Sequence, residues 1–328
     1  MRLSTAVPSL LALAAGAATL APSDALAQTP YPNRTIRMVV PFTPGGISDV
    51  LGRIIAQRLT GTMGQQVVVD NRPGAGTTIG AGIVSKANPD GYTIMIQDMT
   101  THAINASLYA KLPYDSVRDF TGITLVAATP LALVVNQALP AASVKELIAL
   151  ARARGGALNY GSSGNGTILH LAAESFRAAT RIEITHVPYN GSAPAVAALL
   201  ADQVNLVFAT MPAALPHVNS GKIRALAVTT PKRNASMPTV PTMIEAGVPG
   251  FELVLYSGIM GPAGMPREVV ARLHGEISRI VTSAETREVL AQQGAEPLTS
   301  QPEQFARFVE GEIAKLGKVV KASGARIQ

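Results

Sequence analysis

The chain has 328 residues, of which 47% are apolar and 15% are charged, so it can bury a large core and is not an intrinsically disordered protein. It contains no cysteine, which excludes disulfides, thiol chemistry and cysteine metal sites. The formal net charge is +6, but the basic residues are dispersed and not interleaved with aromatic side chains, so we expect no nucleic-acid partner.

The N-terminus has the pattern of an export signal. Arg2 precedes an apolar stretch centred on residues 10–20, and Ala25-Leu26-Ala27 then fits a cleavage site ahead of Gln28. We therefore predict a signal peptide over residues 1–27 and a periplasmic mature protein. An uncleaved membrane anchor is the alternative, and no later segment is apolar enough to span a bilayer.

The first part of the mature chain alternates strand and helix patterns. The predicted elements are a strand at 36–40, a helix at about 47–63, a strand at 67–69, a helix at 79–87 and a strand at 92–96. Alternation of this kind indicates a mainly parallel sheet.

A second series of strands and helices follows residue 120. Its predicted elements are strands at 131–135, 158–160, 184–188, 204–208 and 225–229, with helices at 168–179 and about 193–200 and a further helix between the Ser143 capping box and Gly155. The tail is predicted to be helical, with Pro266 at a first helical position, a helix at 284–292 and a capping box from Ser300 to Glu303. Two such series joined by apolar crossing strands predict two lobes, a hinge and a cleft.

Two glycine-rich turns each lie between a strand pattern and a helix pattern. We call them the first cradle, Pro41 to Gly46, and the second cradle, Gly161 to Thr167. Such turns leave backbone N–H groups free at a helix N-terminus, where the helix dipole favours negative charge. Each cradle can therefore hold a carboxylate without a lysine or arginine, and both belong at the carboxyl ends of strands, where ligands bind in such folds.

The first cradle offers close backbone approach at Gly45 and Gly46 and hydroxyls at Thr43 and Ser48. Asp49, in the following helical turn, has two explanations. It complements the helix dipole, or it binds a ligand amine or an ordered water.

The second cradle has more side-chain donors, including Ser162, Ser163 and Thr167. His170 follows in the next helix, where a lone histidine is more often packed or hydrogen-bonded than functional. We predict that this cradle also contacts the ligand.

Two further loops follow strands and point to the same cleft. Tyr189 is expected at the cleft rim, with free amides beside it. Thr100 and Thr101 follow the strand at 92–96, although Asp98 beside them would oppose an anion unless it is paired or faces away.

Catalytic patterns fit the chain poorly. Gly161-Ser162-Ser163-Gly164-Asn165 departs from the G-x-S-x-G elbow at its last position, and the five histidines show no metal-ligand spacing. We expect no catalytic residue, no metal and no cofactor. The competing hypothesis is a serine hydrolase in which Ser162 or Ser163 is the nucleophile and His170 the base.

At these residues the chain resembles the Bug family of periplasmic solute receptors, the TctC-like binding subunits of tripartite tricarboxylate transport systems. The resemblance spans nearly the whole mature chain and rests on the order of these segments: Val40-Pro41-Phe42 with Gly45-Gly46 and Asp49, Val69 to Gly76, Pro89 to Thr93, Leu112 to Asp115, Gly161 to Gly166, Val187-Pro188-Tyr189 with Gly191, and Pro241-Thr242 with Glu245-Ala246-Gly247.

The resemblance implies an α/β, two-domain periplasmic binding protein of type II, a Venus flytrap with hinge-crossing strands. We place domain 1 at 28–128 plus 228–328 and domain 2 at 129–227. The ligand shell that the resemblance implies is Phe42, Thr43, Gly45, Gly46, Asp49, Thr100, Thr101, Ser162, Gly166, Thr167, His170, Tyr189, Asn190, Gly191 and Ala209. Family members often have a basic residue in place of Asn190 and an acidic one in place of Ala209, and the missing acid argues against an amino-acid ligand.

We therefore expect a monomeric receptor that captures a small mono- or dicarboxylate between two domains and presents it to the membrane subunits of a tripartite tricarboxylate transporter. It is not expected to be an enzyme. A ligand-sensing partner of a sensor kinase is the remaining alternative.

Overall fold

Strands and helices alternate along residues 31–325, which together with residues 1 and 3 are described by the computed structural model. The strands are β1 Ile36–Val40, β2 Val67–Asn71, β3 Thr93–Asp98, β4 Phe120–Asn136, β5 Asn159–Ser162, β6 Thr185–Pro188, β7 Leu206–Thr210, β8 Ile223–Val228, β9 Val254–Pro262 and β10 Glu296–Pro297. The helices are α1 Ile47–Met63, α2 Thr78–Ser85, α3 Met99–Leu108, α4 Val144–Ala153, α5 Ile168–Thr180, α6 Ser192–Leu200, α7 Met211–Asn219, α8 Arg267–Thr282, α9 Ala284–Gln292 and α10 Pro302–Ser323. Apart from Met1 and Leu3, the predicted signal peptide lies outside the described residues.

The sheet has the order β2-β1-β3-β9-β4-β7-β5-β6, with β8 and β10 also paired to β4. β1 is parallel to β2 and β3, and β5 is parallel to β6 and β7, as the alternation of strands and helices predicts. β9 is antiparallel to both β3 and β4, and β4 is antiparallel to β7 and β8. The prediction of a mainly parallel sheet is therefore correct for the outer strands and wrong for the centre.

Strand β4 joins two groups of strands. Its residues 120–130 pair with β9, and its residues 131–136 pair with β7 and β8. We call β1, β2, β3, β9 and β10 the first strand group and β5 to β8 the second. With 17 residues β4 is about 56 Å long at 3.3 Å per residue, long enough to serve both groups.

Helix α3 replaces a predicted loop. All of Met99–Asn105 is buried, so the segment has no alternation of apolar and polar faces that would reveal a helix in the sequence. Asp98 caps this helix by accepting a hydrogen bond from the Thr101 amide.

Strand β9 and helix α7 were not predicted. β9 contains Gly258, where a Cβ would lie 2.8 Å from Phe305 and 2.9 Å from Met99, so close packing requires a glycine that weakens the strand pattern. α7 contains Pro212 in its first turn and Pro216 in its interior, and prolines at that density indicate a loop.

Two predicted helix starts are displaced by one residue. Pro266 is the N-cap of α8, not its first helical residue. The capping box of α10 consists of Gln301 and Gln304 in place of Ser300 and Glu303. Glutamine is a less usual cap than serine, which explains why the pattern favoured the wrong residue.

The largest apolar core is continuous through both strand groups and includes side chains of β1, α1, β4 and α5. Helix α10 lies against α3, α5 and β4. In the part of the chain that the structure describes, no helix combines the length and apolar character needed to cross a membrane.

Candidate ligand-binding cleft

Five helices within residues 31–325 begin around one small cavity, whose water-accessible volume is about 20 Å³, room for about one water molecule. Its lining combines Phe42, Gly46, Ile47, Ser48, Asp98 and Leu255 near the first strand group with Ser163, Leu169, Ser192 and Thr210 near the second. These include the N-caps of α1, α3 and α7 and first-turn residues of α5 and α6. The cavity therefore lies where the two strand groups meet.

In four of these helices, α1, α5, α6 and α7, the side chain of the N-cap residue makes no capping hydrogen bond. Helices α4, α9 and α10, which begin elsewhere, are capped by Ser143, Ser283 and Gln301. α2 and α8 also lack such a cap, so the distinctive feature of the cavity is the convergence of four uncapped starts. Unpaired first-turn amides and helix dipoles make it a favourable place for an anion.

The polar side chains of the lining are mainly hydroxyls. Ser192 Oγ accepts a hydrogen bond of 3.0 Å from the Thr210 amide. Thr210 is 4% exposed, and its own Oγ1 has no hydrogen-bond partner among the described atoms. A buried unpaired hydroxyl is costly, so Thr210 indicates that a ligand or ordered water supplies its partner. The described lining contains no lysine or arginine.

The first cradle lies at this cavity as predicted, with Phe42 and Gly46 in its lining. Thr43 closes the entrance, because its amide and hydroxyl both donate to the Asn190 carbonyl, at 3.3 and 3.1 Å. At Gly191 a Cβ would lie 2.3 Å from Thr43 Oγ1, and at Gly45 one would lie 3.0 Å from Cβ of Ala193. These loops from the two strand groups are therefore in direct contact.

The cleft also has a wider opening beside the cavity, with a water-accessible volume of about 360 Å³. Tyr189 and Asn190 line it together with Phe42 and Ser163, which both spaces share. This agrees with the expectation that Tyr189 lies at the rim.

Asp49 stabilises the first cradle. Its carboxylate accepts hydrogen bonds from the Gly45 amide at 3.1 Å and from Asn71 Nδ2 at 3.0 Å, and it pairs with Arg53 at 2.9 Å. Burial would raise the pKa of Asp49, but these hydrogen bonds and the Arg53 charge together hold it below its ordinary value. The carboxylate thus shapes the turn that presents the amides of α1.

Thr100 and Thr101 connect elements around the cavity. Thr100 Oγ1 donates to the Val254 carbonyl at 3.0 Å and accepts from the Tyr256 amide at 3.1 Å. Thr101 Oγ1 donates to the Asp98 carboxylate and accepts from the Ile168 amide at 3.1 Å. Thr101 therefore occupies one of the free amides of α5 and ties α3 to the second strand group.

The hydroxyls of the second cradle hold the loop itself. Ser162 Oγ accepts from the Gly164 amide at 3.1 Å, and Thr167 Oγ1 donates to the Gly164 carbonyl at 2.8 Å. The Gly166 amide donates to His170 Nδ1 at 3.3 Å. Among these, none lines the cavity, whereas the neighbouring Ser163 does.

His170 faces away from the cavity toward a separate surface opening that it shares with His186. The two imidazole rings are stacked with centroids 4.3 Å apart. Burial lowers the pKa of His170, although Glu174 nearby opposes this shift. Ala209 is fully buried in β7, opposite Ala132 of β4, and does not line the cavity.

The pairing that the serine hydrolase hypothesis names, Ser162 or Ser163 with His170, does not occur among the described residues. Ser162 is fully buried and forms a 2.6 Å hydrogen bond with His186 Nε2, not with His170. A nucleophile in this position has no access to a substrate in the cavity. The described residues also contain no group of three histidine, aspartate or glutamate side chains that could hold a metal ion.

Among the described residues of the lining, Asp98 is the one with an ionisable side chain. It is 2% exposed, and burial raises its pKa to about 6, while hydrogen bonds from Thr101 oppose this rise. A carboxylate at this position opposes an anion unless it is paired or faces away, and the structure places it in the cavity wall, bonded to Thr101.

Eight described lining residues lie outside the predicted shell, namely Ile47, Ser48, Asp98, Ser163, Leu169, Ser192, Thr210 and Leu255. Ser48 and Ser163 belong to or adjoin the cradles and differ from predicted residues by one or two positions. Thr210 could have been predicted from the sequence, because it ends β7 and directly precedes a helix with proline in its first turn.

The fold and the cleft define a solute receptor of the periplasmic binding protein class. The family model of the tripartite tricarboxylate transporter family receptor, TctC, matches residues 51–325. The chain belongs to this receptor family.

Individual proteins agree with this assignment. Protein BugT of Bordetella pertussis is 38% identical over 299 residues, covering 91% of this chain and 92% of BugT. The structure of Rpa4515 of R. palustris with adipate has a TM-score of 0.88 at 41% identity and covers 90% of this chain and 100% of its own. MatC of Rhodopseudomonas palustris, with bound malate, has a TM-score of 0.83 at 32% identity and covers 88% of this chain and 100% of its own.

Proposed function

We propose that this receptor captures a small mono- or dicarboxylate between its two strand groups, in the cavity at which five helices begin. The observation that carries the proposal is the convergence of four uncapped helix starts, from both groups, on one buried space. Peptide amides can neutralise a carboxylate there without a basic side chain. The related receptors Rpa4515 and MatC, solved with adipate and malate, support the ligand class.

The small size of the cavity supports a closed state of the cleft. Its water-accessible volume of about 20 Å³ is far below the roughly 300–1,000 Å³ that is usual for ligand sites, so a carboxylate enters when the two strand groups move apart. Phe42, Ile47, Leu169 and Leu255 supply apolar walls, which suit the carbon chain of an aliphatic acid. The hydroxyls and amides supply the polar contacts.

The same geometry supports closure of the two strand groups around the ligand. The lining residues divide between the two strand groups, so neither group encloses a ligand by itself. We infer two lobes with the boundaries 28–128 plus 228–328 and 129–227. The change of pairing partner in β4 between Pro130 and Leu131 and the end of β8 at Val228 support these boundaries.

We further propose that the chain is exported by residues 1–27, acts in the periplasm as a monomer and delivers its ligand to the membrane subunits of a tripartite tricarboxylate transporter. Membership of the receptor family supports this placement. The N-terminal sequence of the purified mature protein tests the export step, and a start at Gln28 is expected.

The ligand proposal is tested by thermal unfolding with adipate, malate, monocarboxylates and amino acids. A ligand at a hundred times its Kd stabilises the fold by about 2.7 kcal/mol, which raises Tm measurably. Adipamide, which has the same carbon chain without charge, is the matched control and should give no shift. Absence of a shift with every carboxylate, or an equal shift with adipamide, would refute the proposal.

A further inference from the structure

Asp98 occupies an unusual position for a carboxylate. It lies in the wall of a cavity whose other polar features are amides and hydroxyls suited to an anion. Its Oδ1 accepts a 3.0 Å hydrogen bond from the Thr101 amide, and its Oδ2 accepts one from the Thr101 hydroxyl. The N-cap role explains why an acid is tolerated at this position, but serine and asparagine are equally good caps.

No ion pair within residues 31–325 includes Asp98. The described lining residues at the starts of α6 and α7 are Ser192 and Thr210, and both are uncharged. The backbone amide of Asp98 donates a hydrogen bond to the Gln97 side chain of β3. Since no described lysine or arginine lines the cavity, the helix starts supply the positive potential beside this carboxyl group.

The ionisable side chains on the remaining surrounding elements have other partners. Asp49 of α1 pairs with Arg53, and His170 of α5 stacks on His186. His102 of α3 bonds to the Ser116 carbonyl at 2.8 Å. Tyr256 of β9 packs against Phe308 with ring centroids 5.1 Å apart.

A carboxylate ligand in this cavity places a second negative charge beside Asp98 in a site with little water. Two carboxylates that share such a site do not both stay ionised, because each strongly raises the pKa of the other. Asp98 already has a pKa raised to about 6 by burial. A neutral carboxyl group then has an O–H that it can donate to the ligand.

Resting on the proposed function, we propose that Asp98 takes up one proton from solvent when the carboxylate ligand enters and then donates a hydrogen bond to a ligand oxygen. Capture is thereby coupled to protonation. The protonated acid supplies a donor where an ionised one would repel the ligand, so this residue makes affinity depend on pH.

The experiment uses adipate as the probe and isothermal titration calorimetry on the mature protein. Titrations are run at pH 6.5, 7.5 and 8.5 in pairs of buffers that differ in ionisation enthalpy. Carboxylic acids of this kind titrate near pH 4–5, so adipate itself stays ionised throughout this window. We expect uptake of about one proton at pH 7.5 and a Kd that rises up to about tenfold per pH unit.

The matched variant is Asp98→Asn. Asparagine keeps the N-cap acceptor, cannot titrate and presents an N–H₂ donor in place of the carboxyl O–H. Its adipate affinity should be independent of pH, without proton uptake, and at pH 8.5 it should exceed that of the wild type by more than tenfold. Circular dichroism and Tm verify that the variant is folded, and Asp98→Ser serves as a second non-titrating cap.

Binding of adipate to the wild type without proton uptake, at a pH-independent Kd, overturns the inference and leaves the proposed function intact. The inference is also overturned if Asp98→Asn no longer binds malate. In that case Asp98 of the wild type would be ionised and would accept a hydrogen bond from the malate hydroxyl. No binding of any carboxylate to the wild type would refute the proposed function and this inference together.

Discussion

Thr210 has a hydroxyl that no described atom of the folded chain satisfies, at the N-cap of α7 and in the cavity wall. An unsatisfied buried hydroxyl costs about 1–3 kcal/mol, and a bound ligand or water that pairs with it removes this cost. The residue therefore links the stability of the empty receptor to the affinity for its ligand.

We predict that Thr210→Val weakens adipate binding about tenfold, because one hydrogen bond worth about 1.4 kcal/mol is lost, while the free energy of unfolding without ligand stays the same or rises. Calorimetry measures the Kd and urea unfolding the stability. Thr129→Val is the matched control, since Thr129 Oγ1 is also buried and unpaired but lies outside the cavity lining. Equal effects of both variants on Kd would contradict the prediction.

His102 should make the fold sensitive to acid. It is fully buried, and burial lowers its pKa to about 4, although its hydrogen bond to the Ser116 carbonyl opposes this. Because the folded value is below the unfolded value of about 6.5, the unfolded chain takes up a proton between these pH values and the folded protein does not. Stability is therefore complete above pH 6.5 and is lost as the pH falls toward 4.

The expected loss at His102 is about 3 kcal/mol of unfolding free energy between pH 6.5 and 4. In His102→Gln, which retains an N–H donor for the Ser116 carbonyl, this part of the pH dependence should vanish. Urea unfolding of both proteins at several pH values measures the difference. Parallel pH profiles for the two proteins would show that His102 does not cause the acid sensitivity.

At the scale of elements, the starts of α1 and α6 meet across the cleft entrance. Gly191 has an extended backbone that any residue can adopt, but a Cβ there would lie 2.3 Å from Thr43 Oγ1. The glycine is therefore needed for this contact between the two strand groups and not for the conformation of its own loop.

We predict that Gly191→Ala weakens adipate binding at least tenfold, because the clash disfavours closure, and that adding Thr43→Ala restores much of the affinity. The remaining Cβ of residue 43 would be 3.5 Å away, an ordinary contact. Gly61→Ala is the control, since it lies in α1 with nothing within 4 Å of the added Cβ. Additive losses in the double variant, measured by calorimetry, would exclude the clash as the cause.

Element patterns in the sequence predicted the positions of β1, α1, α5 and α9 to within a residue, because these segments are strongly apolar or amphipathic and have clear boundaries. The two cradles could also be located in the sequence, because their glycine-rich turns interrupt the apolar and amphipathic patterns on either side. α3 and α7 were missed because one is buried on all sides and the other contains two prolines. These two helices begin at Asp98 and Thr210 in the cavity wall. Most other lining residues outside the predicted shell belong to elements that the sequence did predict, such as Ile47 and Ser48 of α1.

The hydrogen-bond partner of each polar side chain could not be predicted from the sequence. Asp49, Thr101 and Ser162 have the chemistry of ligand-binding residues, yet in the structure their bonds go to Gly45, Ile168 and Gly164 in the surrounding loops. Such partners depend on long-range packing, which no local pattern contains. Whether a ligand adds to these bonds stays a prediction.

At the scale of the whole molecule, the proposed closure brings Thr43 and Gly191 together from different strand groups. The distance from Thr43 Cβ to a Cβ built at Gly191 is 3.5 Å, within the 3.5–4.5 Å range of disulfides. Because the chain contains no cysteine, the pair Thr43→Cys and Gly191→Cys introduces one disulfide that cannot exchange with any other. Oxidation of this variant tests whether the cleft must open to exchange its ligand.

We predict that the variant oxidised without adipate binds it at least a hundredfold more slowly than the reduced form, since the entrance is covalently closed. If adipate is added before oxidation, the ligand should stay bound through dialysis and leave only after reduction. Stopped-flow binding and mass spectrometry of the dialysed protein measure these two outcomes, with each single-cysteine variant as a control. Equal binding rates in the oxidised and reduced forms would mean that ligand enters by another route and that capture does not require separation of Thr43 from Gly191.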